Sequence, residues 1–69
     1  MSFTYKANVV ALRRALLKAN MGQTELSKQS NVTSSTLQKV VAGRSCTVAT
    51  CNKIAKALGV PVTHLFTCD

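Results

Sequence analysis

Residues 23–43, QTELSKQSNVTSSTLQKVVAG, have the pattern of two short helices joined by a tight turn. Leu26 marks the inward face of the first helix, while Leu37 and Val40 give the second helix a three-residue apolar step. Thr33 is a good N-cap, because its hydroxyl oxygen can accept a bond from a free backbone N–H of the helix that follows. The sequence therefore predicts a helix, a turn and a second helix that begins directly after Thr33.

The outer face of this second helix carries polar side chains that suit the groove of a duplex. A lysine ammonium favours guanine O6 and N7, a glutamine amide can pair with adenine N6 and N7, and a serine hydroxyl donates or accepts with little discrimination. The predicted base-contacting residues are Ser34, Ser35, Gln38 and Lys39. The alternative is that these are solvated positions of an ordinary exposed helix.

Length and charge are typical of one small basic domain. A chain of 69 residues buries about 60% of its unfolded surface, so we expect a single domain over residues 1–69. Nine Lys and Arg against two acids give a formal charge of +7. Such a domain favours a polyanionic partner, because each neutralised phosphate releases condensed counterions. A cationic surface that serves only solubility is the alternative.

Several classes of protein are disfavoured by what the sequence lacks. No apolar run approaches the roughly 18 residues of a membrane span, and no secretory signal pattern opens the chain. We therefore expect a cytoplasmic protein without membrane association, and short capped helices also argue against a cationic membrane-active chain. Glu25 and Asp69 are the only acids, His64 is the only histidine and no glycine-rich phosphate loop is present. We predict no catalytic residues, no enzymatic activity and no cofactor.

Three cysteines and the histidine raise the question of a zinc site. The four possible ligands are Cys46, Cys51, His64 and Cys68. Their spacing matches no familiar zinc finger, so we predict no metal. Cys51 falls on the inward face of a predicted helix, where a free cysteine packs as a small hydrophobe. We expect free thiols in a reducing cytosol, with Cys46 and Cys68 the more exposed pair. A redox role or an intermolecular disulfide stays open.

Three more helices are predicted around the central pair, which covers about residues 23–30 and 34–42. One spans about residues 8–19 and closes at Asn20 in the left-handed conformation. After a polar loop, another spans about residues 48–58, and a short turn follows Pro61. The expected inward residues of these helices are Val9, Leu12, Leu16, Val48, Cys51, Ala55 and Leu58. Five helices without a long strand pattern predict an all-α bundle.

With these elements in place, residues 12–66 resemble the phage repressor/Cro-like helix-turn-helix family, the lambda-repressor-like DNA-binding domain. The most specific segments are GQTELSKQSNVTSSTLQKVVAGR and NKIAKALGVPVTHLF. Gln23 falls where the family very often has glutamine, and its usual core positions hold Leu26, Val32, Leu37 and Val40. The resemblance implies a five-helix bundle that contains a helix-turn-helix and binds double-stranded DNA.

The resemblance also implies roles for individual side chains. The second helix of the motif enters the major groove by its N-terminus, so Ser34 and Ser35 would lie nearest the bases. Backbone phosphates would be contacted by polar groups on either side of that helix, since helix N-termini and short hydroxyl side chains hold phosphate well. The expected phosphate contacts are Gln23, Thr24, Thr33, Thr36 and Arg44.

The family usually binds near-palindromic sites as dimers, because one recognition helix reads too few base pairs. The apolar candidates for a dimer contact are Val62, Leu65 and Phe66, although these residues could serve only to close the core. We expect a transcriptional regulator of the phage or mobile-element repressor type, acting as a weak homodimer formed mainly on DNA. The alternative is a protein-interaction module of the same fold, an antitoxin-like or anti-regulator component, with little salt-dependent DNA affinity.

Five positions depart from the family pattern. Ser27 replaces a preferred alanine and Ser30 replaces a buried aliphatic residue, which suggests a looser contact between the two helices of the motif. Asn31 replaces the turn glycine, a sensible exchange because asparagine tolerates positive φ. Leu16 and Val41 stand where many members have an arginine–glutamate pair, so we expect an apolar contact between them.

Overall fold

Five helices follow one another in the computed structural model, which describes residues 4–68. They are α1 (Val9–Lys18), α2 (Gln23–Ser30), α3 (Ser34–Val41), α4 (Val48–Leu58) and α5 (Val62–Leu65). Each boundary lies within a residue or two of its predicted position. The predicted helical bundle with a helix-turn-helix is confirmed.

Side-chain caps fix where three of the helices begin. The Asn8 side-chain oxygen accepts from the N–H of Ala11 at 3.2 Å, and Thr33 and Thr47 play the same part at α3 and α4. Each cap satisfies one backbone donor that the helix itself leaves unpaired. The N-cap of α2 is Gly22, which has no side chain to act as a cap. No N-cap side chain therefore accepts from the first backbone N–H groups of α2.

Residues with positive φ end four of the helices. Asn20 (φ 53°) follows α1, Asn31 (φ 59°) follows α2, Gly43 (φ 85°) follows α3 and Gly59 (φ 70°) follows α4. Glycine and asparagine adopt this left-handed conformation at the lowest steric cost, which allows the chain to turn sharply. The predicted left-handed closures at Asn20 and Asn31 are confirmed.

Each helix contributes at least one fully buried aliphatic residue to the common core. Leu12, Leu26, Leu37, Ile54 and Leu65 are each at most 1% exposed, and burial of such a side chain contributes about 1.5–3 kcal/mol. Leu12 was predicted to be inward, and Leu26 and Leu37 were predicted core residues of the motif.

The predicted inward series of α4 needs one correction. Cys51 and Ala55 are buried as expected, but Val48 is 40% exposed. Val48 is the first residue of its helix. Ile54, which the predicted series omitted, is buried in its place and centres the buried face on residues 51–55.

A small antiparallel sheet joins distant parts of the chain. Its strands are β1 (Thr4–Ala7), β2 (Ser45–Thr47) and β3 (Phe66–Cys68), in the order β2-β1-β3. Tyr5 pairs with Cys46 on one side and with Cys68 on the other. The predicted polar loop between α3 and α4 was therefore wrong, because residues 45–47 form an edge strand. The N–H of Asn8 also donates to the Leu65 carbonyl oxygen at 2.7 Å, which ties the start of α1 to α5.

Leu16 and Val41 are both half-buried and packed against the core. Their direct contact stays a prediction.

Not one helix in residues 4–68 has the length and apolar character that a bilayer crossing demands.

Candidate nucleic-acid interface

The buried side of α3 determines which of its residues face outward. Leu37 and Val40 are almost fully buried, at 1% and 0% exposed. Residues separated by three or four positions share a helix face, so the opposite side of α3 must be turned to solvent. The structure brings the four predicted base-contacting residues together there, all exposed: Ser34, Ser35, Gln38 and Lys39. The helix offers hydroxyls at its N-terminal end and an ammonium near its C-terminal end.

The corner between α2 and α3 is held by buried and polar contacts. The Ser27 hydroxyl donates to the Val32 carbonyl oxygen at 2.6 Å, across the turn. The Ser30 hydroxyl donates to the Leu26 carbonyl oxygen at 2.6 Å, and Ser30 is only 5% exposed. The two serines that depart from the family pattern therefore make hydrogen bonds where the family has apolar side chains. The Ser27 bond and the left-handed conformation of Asn31 hold the turn from α2 to α3, whereas the Ser30 bond lies within α2.

The N-terminus of α2 presents two of the predicted phosphate contacts. Gln23 and Thr24 are exposed in its first turn. Because Gly22 offers no side-chain cap, backbone N–H groups at this end can donate to an anion, and the helix dipole favours negative charge there. Glu25 lies in the same turn, where its side-chain oxygen accepts from the Gln29 amide at 3.2 Å.

The two threonines at the start of α3 hydrogen-bond to each other. The Thr33 hydroxyl donates to the Thr36 hydroxyl at 2.9 Å and accepts from the Thr36 N–H at 3.4 Å. Thr33 is exposed and Thr36 is half-buried. The hydroxyl proton of Thr36 stays available to an outside acceptor, whereas a phosphate contact from Thr33 requires its present bond to be exchanged.

A basic depression lies beside the C-terminal end of α3. Its lining includes Lys39 of α3, Arg44 of the following turn and Lys6 of β1. The N–H of Gly43 donates to the Val40 carbonyl oxygen at 3.0 Å, which closes the helix and positions the chain toward Arg44. Sequence reasoning missed Lys6, because no local pattern indicates that β1 lies next to α3.

One cysteine, Cys46, differs from its predicted exposure. Cys51 is fully buried as predicted, but Cys46 is only 8% exposed, so its predicted exposure was wrong. Pairing of β2 with β1 turns the Cys46 side chain inward, and its sulfur lies 3.2 Å from the Cys51 sulfur. Burial, followed by the neighbouring Cys46 thiol, raises the pKa of Cys51 to about 12. The side chain of Cys68 lies outside the described residues.

The other possible zinc ligand, His64, is an exposed residue of α5. In the part of the chain that the structure describes, no three or more metal-ligating side chains come together. His64 lines a hollow of about 430 Å³ between α1 and the turn from α4 to α5, together with Val10, Arg14 and Lys18. None of the predicted site residues lines this hollow.

Two of the three predicted dimer contacts are core residues. Leu65 is 0% and Phe66 is 3% exposed, because α5 packs against α1 and α4 while β3 pairs with β1. Burial of both side chains favours the alternative that these two residues close the core, and their part in a dimer stays a prediction. Val62 is half-buried and keeps some exposed surface. Among residues 4–68, the large apolar side chains that remain exposed are Val10, Leu17 and Val48.

Comparison with known proteins agrees with this geometry. The family model HTH_3, described as helix-turn-helix, matches residues 12–65. The transcriptional regulator VanUg, in its crystal form II, superimposes with a TM-score of 0.74 at 16% sequence identity. That alignment covers 100% of this chain and 89% of VanUg, and at this identity it shows a shared fold. A search of curated protein sequences gives no significant match. The match to the HTH_3 family model extends over more than half of the chain and includes both helices of the motif. The chain therefore belongs to the Cro/CI-type helix-turn-helix family, HTH_3, of DNA-binding domains.

Proposed function

We propose that the chain is a sequence-specific regulator of transcription, of the phage or mobile-element repressor type, that binds a near-palindromic operator as a homodimer. The observation that carries this proposal is the outer face of α3, where four polar side chains are exposed above a buried apolar face. A helix of this width fits the major groove of B-DNA. The formal charge of +7 adds attraction to phosphate along the whole surface.

Within the groove, the two ends of α3 have different tasks. Ser34 and Ser35 lie nearest the bases, and their short hydroxyls allow the helix N-terminus to approach closely. Lys39 reads guanine through O6 and N7, and Gln38 reads adenine through N6 and N7. Because serine discriminates poorly, most of the sequence preference comes from Gln38 and Lys39.

Phosphates hold the helix at both ends of the motif. Gln23 and Thr24 bind one phosphate at the N-terminus of α2, where the helix dipole helps. Arg44 binds another beyond α3, and Lys6 adds a second charge to the same depression. Thr33 and Thr36 are hydroxyl contacts between these two points. Such contacts fix the register on the duplex and carry no sequence information by themselves.

Two copies supply the specificity that one recognition helix lacks. Each copy reads one half-site, and the half-sites are spaced by about one helical turn, roughly 34–36 Å. The chain forms a weak dimer mainly on DNA, with Val62 as the remaining predicted apolar contact. Repulsion between two basic chains opposes association in solution, and the duplex between them removes that repulsion.

Selection of bound duplexes from a random pool tests this function. We expect an enriched site with two inverted half-sites, and an affinity for it that falls steeply with salt, because each neutralised phosphate contributes a slope of about −0.9 to log K against log salt. A pool that is not enriched, together with weak and salt-insensitive binding, would contradict the proposal. That result would favour the protein-interaction module instead.

A further inference from the structure

Two free thiols face each other in the core. Cys46 lies in β2 and Cys51 in the first half of α4, and their sulfur atoms are 3.2 Å apart without a covalent bond. A disulfide has an S–S length of about 2.05 Å, so an approach of about 1 Å closes the gap. The proposed DNA contacts use neither sulfur.

We propose that Cys46 and Cys51 form a redox-active dithiol site, which a hydroperoxide converts into an intramolecular disulfide. In the first step the Cys46 sulfur attacks one oxygen of the peroxide, so that an S–O bond forms and the O–O bond breaks. The product is a sulfenic acid, and with hydrogen peroxide the departing hydroxide takes up the Cys46 thiol proton and leaves as one water. In the second step the Cys51 sulfur attacks the Cys46 sulfur. The S–S bond forms, the S–O bond breaks, and the hydroxyl leaves with the Cys51 proton as a second water. The two sulfurs lose two electrons and the peroxide gains them.

The two sulfurs differ in their access to the oxidant, and this difference determines which of them reacts first. β2 has three residues and lies at the edge of the sheet, paired only with β1 among the described strands. A short edge strand opens locally at low cost, which exposes Cys46 first. Cys51 is fully buried, and its raised pKa keeps the sulfur protonated at neutral pH. Its position beside Cys46 gives it a high effective concentration for the second step.

Oxidation would tie the edge strand covalently to α4. Residues 45–47 would then lose their freedom to open, and their backbone amides would exchange more slowly with solvent. The site does not depend on DNA binding, so its test is separate from that of the proposed function.

Peptide mapping of the wild-type chain tests the site directly. Trypsin cleaves after Arg44 and Lys53, so residues 45–53 are released as one peptide, SCTVATCNK, that contains both cysteines. Cys68 is released in a different peptide, residues 57–69. The reduced chain is treated with hydrogen peroxide, alkylated under denaturing conditions and digested. We expect peptide 45–53 to lose two hydrogen atoms and take up no alkyl group, and dithiothreitol to restore labelling of both sulfurs.

Two controls separate this site from incidental oxidation. The Cys68→Ser variant keeps both buried thiols and should form the same linked peptide at the same rate. The Cys46→Ser variant should leave Cys51 alkylatable after peroxide. Hydrogen exchange adds a structural readout, with slower exchange of residues 45–47 expected in the oxidised chain. Four results would each overturn the proposal. They are sulfinic acid on Cys46, a cross-link between peptides 45–53 and 57–69, two alkylatable sulfurs in peptide 45–53 after oxidation, and faster exchange of residues 45–47 in the oxidised chain.

Discussion

The backbone N–H of Arg44 donates to the carbonyl oxygen of Lys39 at 3.0 Å. The Gly43 N–H donates to the Val40 carbonyl oxygen at the same distance, and the Arg44 bond spans five residues where the Gly43 bond spans three. The Arg44 bond positions the backbone of Arg44 relative to the last turn of α3. The backbone positions of Lys39, proposed to contact a base, and Arg44, proposed to contact a phosphate, are thus fixed relative to each other. Their electrostatic roles still differ, and mutation should separate them.

Replacing Lys39 by alanine should weaken binding to the selected operator by about 1–3 kcal/mol and relax the preference at one base pair. Replacing Arg44 by alanine should weaken specific and random duplexes alike and reduce the salt slope by about 1. Fluorescence anisotropy with both duplexes over a salt series measures the two effects. Lys56→Ala is the charge-matched control, because Lys56 lies in the last turn of α4, away from the junction with α3. Equal losses on both duplexes for Lys39→Ala would refute base reading by this residue.

Gly43→Ala should lower the free energy of unfolding by about 1–2 kcal/mol. Gly43 has φ 85°, a conformation that the added Cβ makes unfavourable, although the space beside it is adequate, with the Val9 side chain 3.6 Å away. Gly22→Ser is the contrast. Gly22 has φ −91° and open space around it, and serine three residues before Glu25 completes a capping box, so a gain of a few tenths of a kcal/mol is expected. Urea unfolding followed by circular dichroism measures both changes. A neutral Gly43→Ala would show that the turn relaxes without strain.

Ser27→Ala should cost about 1 kcal/mol, whereas Ser30→Ala should be nearly neutral. The Ser27 hydroxyl bridges the turn to the Val32 carbonyl oxygen, so its removal takes away a bond between α2 and the segment that leads to α3. The Ser30 hydroxyl instead adds a second bond to the carbonyl oxygen of Leu26, one helical turn back within α2. Thermal unfolding of the two variants under one set of conditions compares them. The reverse order of stability would contradict this view of the corner.

The raised pKa of Cys51 predicts a loss of stability at alkaline pH. An ordinary thiol has a pKa of 9.0, and burial in the folded chain raises that of Cys51 to about 12. The folded state therefore holds a proton that the unfolded state releases, so this contribution is complete below pH 9 and is lost as the pH rises toward 12. The slope reaches about 1.4 kcal/mol per pH unit. Denaturant unfolding of the reduced chain between pH 8 and pH 11 measures it. Because other groups titrate in the same range, the Cys51→Ala variant is the control, and an equal slope in both proteins would contradict the assignment.

The helices were predictable because local signals determine their ends. Asn20, Thr33 and Gly43 each act through bonds to residues three or four positions away, and signals of such short range can be recognised in a sequence. The outward face of α3 followed in the same way from Leu37 and Val40. Exposure of those outward residues was therefore predictable, while their contact with DNA remains a prediction.

The sheet and its consequences were not predictable, because they depend on pairing between distant segments. Tyr5 pairs with residues 46 and 68, and strands of three or four residues without a connecting hairpin leave no local signal. The same pairing buries Cys46, brings Lys6 near α3 and makes Phe66 a core residue. An apolar residue such as Leu65 can serve a core or an interface equally well by its chemistry, and only the packed structure separates the two roles.

The outer face of α3 is proposed to contact the duplex, and NMR titration of the isotope-labelled chain with the selected operator measures this contact residue by residue. We expect the largest amide shift changes on residues 34–39 and on residues 23 and 24, with smaller changes around Arg44. Changes centred instead on the hollow beside α1, at Val10, Arg14 and Lys18, with residues 34–39 unaffected, would contradict it.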